Sequence, residues 1–133
     1  MQPTEFMMAV RDIVSARCPL WAPKLNKVVF KWHAFGRISG LDQIWGETHP
    51  PMTIEIWDHN TKLGKEALAH TTIHELGHII KAEHRAEWQK VINAMGIIHN
   101  SPGIYPPNLV GTYERNWTPE VLAAVRALPD IEY

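Results

Sequence analysis

An apolar helix with ionisable groups at its centre constrains this chain more than any other feature. The motif His74-Glu75-Leu76-Gly77-His78 is flanked by Ala67-Leu68-Ala69 on one side and Ile79-Ile80 on the other. Such flanks predict a helix over about residues 63–81 that belongs inside the domain. Two imidazoles and a carboxylate are costly to bury unless something satisfies them. On a helix, residues four apart share a face, so His74 and His78 point the same way. That spacing lets both grip one zinc ion, each at about 2.0–2.1 Å. Glu75 sits beside them, near enough to take a proton from a water that the ion activates. His74 and His78 therefore read as metal ligands and Glu75 as the general base of a zinc hydrolase.

Catalytic zinc usually has three protein ligands and one water. His84, six residues after His78, is taken first. An unbroken helix would carry it about 15 Å along the axis from His74 and onto another face. His84 thus requires the helix to stop near residues 80–82 and the chain to turn back. Lys81 stands where that turn falls, and a left-handed lysine there costs about 1 kcal/mol. Glu87 is the alternative. A following helix places it three residues from His84 on one face, and a carboxylate third ligand gives the His2Glu arrangement.

Punctuation and period organise the rest. Thr4 caps a first helix with Phe6, Met7, Val10, Ile13 and Val14 on one stripe, ending before Pro19. Residues 25–33 alternate Val28, Phe30 and Trp32 against Lys27, Lys31 and His33, a strand pattern. Residues 37–45 read as a second, less regular strand, and Thr48-His49-Pro50-Pro51 as a turn. Residues 52–57 alternate again, a third strand, which as a sheet edge would align an extended peptide by strand addition. A helix over about residues 85–95 ends at Gly96. Residues 97–117, with Pro102-Gly103 and Pro106-Pro107, read as an irregular loop, and Thr118-Pro119-Glu120 opens a last helix to Leu128. A helix, about three strands and then helices make an α+β layout, expected to form one domain over residues 1–133.

Composition excludes several classes. The chain has 133 residues and a formal net charge of −1, with a pI near 6.7. That balance does not favour binding nucleic acid without regard to sequence. Lys24, Lys27, Lys31 and Arg37 read as solvated strand edges. Cys18, the one cysteine, precedes Pro19 and reads as a small packed residue. The N-terminus lacks a basic region followed by an apolar core, and no run approaches a membrane span, so a cytoplasmic protein is expected. His70 shares the face of His74, and His99, Tyr105 and Tyr113 lie in the long loop, but for all four a structural role is the simpler reading. Trp57, Trp88 and Trp117 read as core or groove-lining residues.

The run Gly36-Arg37-Ile38-Ser39-Gly40-Leu41, the strand Met52-Thr53-Ile54-Glu55-Ile56, the His74–His78 motif, His84-Arg85-Ala86-Glu87-Trp88 and Met95-Gly96 together resemble the SprT-like zinc metallopeptidase family. The resemblance covers roughly residues 25–97. It implies a small zincin-like domain, a bound Zn2+, ligands His74, His78 and His84, Glu75 as base, and a protein or peptide substrate. The link from His78 to His84 is shorter than is usual in that family. Many members also end in a four-cysteine zinc ribbon, which a chain with one cysteine cannot form, so the nucleic-acid engagement tied to that ribbon stays open and is not supported by the charge balance. Two other classes stay open: a zinc hydrolase of a non-protein amide, and a non-catalytic module in which Glu87 or His70 closes the zinc site.

Overall fold

The computed structural model describes residues 1–39, 42–49, 52–58, 62–82, 86–98 and 117–133. These form a mixed α+β structure of five helices, a three-stranded sheet and a two-stranded one. Helix α1 spans Pro3–Arg17. Its cap is Gln2, not the expected Thr4: the Gln2 backbone N–H donates to Glu5 Oε1 at 3.2 Å. Pro3 then fills the first turn, where a missing N–H costs nothing. Phe6, Met7, Val10 and Val14 are fully buried, as the stripe predicts. Beyond α1, Cys18 Sγ donates to Ala94 O at 3.3 Å, and burial raises its thiol pKa against a smaller pull from Arg17. A raised pKa makes a poor nucleophile, in keeping with a packed residue.

The segment expected as one strand from residue 25 begins with a single helical turn, α2 (Ala22–Leu25), before β1 (Val29–His33). Residues 37–45 do not make one strand. They form the hairpin β2 (Arg37–Ser39) and β3 (Asp42–Ile44), with Ile38 opposite Gln43. The apolar residues Ile38, Leu41 and Ile44 recur every three positions, a period that keeps no single face of a strand apolar. Ile38 accordingly stays 69% exposed. Thr48 and His49 lie in strand β4 (Gly46–His49) and not in a turn. Strand β5 (Thr53–Trp57) buries Ile54 and Ile56 completely. It is the central strand, parallel to β1 and antiparallel to β4. The third predicted strand is therefore not the edge expected of it; among the described residues the edge strands of its sheet are β1 and β4.

Helix α3 (Lys65–Ile80) is the hub, packed against α1, α4, α5, β4 and β5. It is buried on nearly every side, with Leu68, Ala69, Ile73 and Leu76 fully enclosed. Each large apolar side chain so enclosed contributes about 1.5–3 kcal/mol. Helix α4 (Ala86–Met95) ends at Gly96, whose φ of +120° suits glycine alone. A Cβ there would also come within 2.5 Å of Val121 Cγ2. Helix α5 (Pro119–Arg126) is opened by Thr118, whose backbone N–H donates to Gly96 O at 2.8 Å. An isolated bridge pairs Ile97 with Trp117. Lys65 Nζ donates to Arg126 O and Leu128 O, both at 2.8 Å, and so caps the end of α5. Among the described residues, no helix is long and apolar enough to cross a membrane.

Candidate metal centre

Helical spacing does what the motif predicts. The donor atoms of His74, Glu75 and His78 all lie within 4.8 Å of one another, the one such group among the described residues. His74 and His78 are half-buried, while Glu75 is 5% exposed. His74 Nε2 stands 3.7 Å from Glu75 Oε2. Burial away from water is the main reason that the Glu75 pKa rises from 4.5 to about 7. The Thr48 hydrogen bond opposes that rise and the charge of Glu47 adds to it. Two imidazole nitrogens and a carboxylate oxygen suit a divalent ion such as zinc, whose charge would offset the buried carboxylate. The donors fit a metal; the arrangement itself does not select which.

Helix α4 backs the two imidazoles. The Trp88 ring lies 4.7 Å from that of His74, edge-on at 70°. It stacks on His78 at 5.2 Å and 15°. Gly77 permits this approach: a Cβ there would be 2.4 Å from Ile92 Cγ2 and 2.7 Å from Trp88 Nε1. His78 Nδ1 lies 3.3 Å from Lys81 O. A carbonyl only accepts, so Nδ1 carries the proton in this contact and Nε2 is left for an ion.

Strand β4 holds Glu75 from the other side. Thr48 Oγ1 reaches Glu75 Oε1 at 2.9 Å and Glu75 O at 3.0 Å. Gly46 lets the strand come close, since a Cβ there would be 3.1 Å from Glu75 Cγ and 3.3 Å from Thr71 Cγ2. Sequence reasoning missed both residues. Pro50-Pro51 drew the turn reading back over Thr48, and no local pattern joins Thr48 to a helix 27 positions away.

The other expectations divide. Helix α3 ends at Ile80, inside the window that a returning His84 requires. Lys81 is extended, with φ −135° and ψ 116°, so the chain leaves the helix without a left-handed lysine. His84 lies outside the described residues, as do His99, Tyr105 and Tyr113. Glu87 is exposed on α4 and does not join the cluster. His70 does not join it either; it is fully buried, edge-on to Trp117 at 5.3 Å. Trp57 lies on the outer sheet face, with the Arg37 guanidinium 5.0 Å from its ring centre and His33 stacked at 5.2 Å. Arg37 also pairs with Glu47, so it is not part of an open basic patch. No family model, curated protein or solved structure matches the chain.

Proposed function

We propose that this chain is a zinc-dependent metallopeptidase of the SprT-like kind, with Glu75 as the general base. The carrying observation is the convergence, on one helix, of two imidazole donors with a buried carboxylate that a separate strand holds through Thr48. His74 and His78 would hold the ion, with His84 as the third ligand. When bound, zinc supplies Lewis acidity toward a water and a substrate carbonyl. Glu75 takes a proton from the attacking water as the water oxygen bonds to the carbonyl carbon. It then gives that proton to the leaving amine nitrogen as the C–N bond breaks. Thr48 and Gly46 sit on β4, an edge strand among the described residues. An extended peptide paired with the open edge of β4 would therefore pass beside the base. The substrate is a protein or peptide and the setting cytoplasmic in this reading.

One observation favours a second reading. Glu75 belongs to the donor cluster, so it could itself ligate the ion and close a non-catalytic, zinc-stabilised binding module. Zinc content by elemental analysis and hydrolysis of casein separate the two. The peptidase reading expects about one zinc per chain, lost in His74→Ala and sharply weakened in His84→Ala. It expects Glu75→Gln to keep zinc and lose hydrolysis. Loss of zinc in Glu75→Gln would favour the closed site, and a fully active Glu75→Gln would rule out Glu75 as the base.

A further inference from the structure

We propose that Thr48 is the positioning residue for Glu75, holding its carboxyl group in place through both halves of the proton relay. The inference rests on the reading of Glu75 as general base. Three observations lead to it. Thr48 Oγ1 is 2.9 Å from Glu75 Oε1 and 3.0 Å from the backbone oxygen of the same residue. Gly46, two residues earlier on the same face of β4, packs so closely on the Glu75 stem that even a methyl group would touch Cγ. The carboxyl is also buried, so Thr48 replaces hydration that the site excludes.

The hydroxyl chemistry suits the task. A threonine hydroxyl has one proton to donate and two lone pairs to accept with. While Glu75 is a carboxylate, Thr48 donates to Oε1. Once Glu75 has taken a proton from water on Oε2, Oε1 is still an acceptor, so Thr48 goes on donating to it or turns its proton to the Glu75 backbone oxygen. Both states keep the Thr48 hydroxyl satisfied with no heavy atom moving. The carboxyl stays fixed while the proton passes from water to the leaving amine. Oε2 is the oxygen on the His74 side, 3.7 Å from Nε2. Fixing Oε1 therefore leaves Oε2 for the exchange. A valine has the shape of threonine and can do neither. A serine can do both.

The test compares Thr48→Val with Thr48→Ser, alone and on a Glu75→Ala background, in the full chain loaded with Co2+. The visible absorption bands of the cobalt read the carboxyl's position without any turnover. Wild type and Thr48→Ser should share one spectrum, and Thr48→Val should shift it. On the Glu75→Ala background, which has no carboxyl to hold, Thr48→Val should change nothing. With casein as substrate and zinc restored, Thr48→Val should lose about 10- to 100-fold in kcat with KM kept, and Thr48→Ser should recover it. Thr48→Ala takes the place of the valine variant if that one does not fold. A valine spectrum identical to wild type overturns the proposal. So does a shift that persists without Glu75, a serine variant that behaves as valine, or a wild type that takes up no cobalt. If wild type leaves casein intact, the peptidase reading falls, while the cobalt spectra still decide whether Thr48 holds Glu75.

Discussion

Glu75→Gln should stabilise the metal-free protein at pH 8, although it removes the proposed base. Without a cation, Glu75 is a carboxyl buried in the core, its pKa raised from 4.5 to about 7 mainly by loss of water. A group whose folded pKa is raised stabilises fully below its unfolded pKa, and that contribution is lost as pH rises through the folded value. Wild type should therefore lose stability between pH 4.5 and about 7. At about 1.4 kcal/mol per pH unit, the gap between the two values is worth about 3 kcal/mol. Glutamine has nearly the same shape, which matters where Gly46 leaves so little room around the Glu75 stem, and it does not ionise. Urea denaturation of chelator-treated wild type and Glu75→Gln at pH 4.5, 6 and 8 measures the difference. Other titrating groups are common to both proteins and cancel. The variant should gain on wild type by about 3 kcal/mol from pH 4.5 to pH 8. Saturating zinc should shrink or reverse that gain, because a cation stabilises the ionised carboxylate. A difference that does not change with pH would refute the reasoning, since it would mean that Glu75 ionises as freely in the fold as in the open chain.

Three further outcomes are expected. Gly77→Ala should destabilise the protein by about 1–3 kcal/mol, measured by denaturation, because the new methyl meets Ile92 and Trp88; it should also weaken zinc binding by moving Trp88 off the imidazoles. Gly96→Ala should lower stability by more than 1 kcal/mol, since a φ of +120° and Val121 both oppose a side chain; an unchanged urea midpoint would contradict this. Trp88 touches both imidazoles, so Co2+ should quench its emission, and Trp88→Phe should remove most of the change from the total fluorescence.

The helices were largely legible in the sequence and the sheet was only partly so. Helix α3 announces itself through continuous apolar flanks around a spaced motif, and α4 through its stop at Gly96. Those signals are local and carry their own period. Strand β4 carries no such signal. It is four residues long, contains one glycine, and has its meaning in what lies across from it: Ile54 and Ile56 on one side and Glu75 beneath. The same holds for Thr48 and Gly77. A hydroxyl and a missing side chain become informative only once a partner is known to be within 3 Å. In the candidate site, His74, Glu75 and His78 could be named from spacing alone because one helix supplies all three. The neighbours that hold them come from β4 and α4, and spacing along the chain says nothing about them.

Helix α3 has an evolutionary consequence, since one element carries both the centre of the core and the polar cluster. A substitution near the cluster also touches the core, so metal binding and stability would drift together. Loss of metal binding in an α3 variant is uninterpretable unless its folded fraction is known. The elements around α3 are freer to change. Stability gained in α1, in α5 or on the outer sheet face could compensate for polar experiments at positions 71–78. A lineage seeking new chemistry on this scaffold would be expected to strengthen that periphery first.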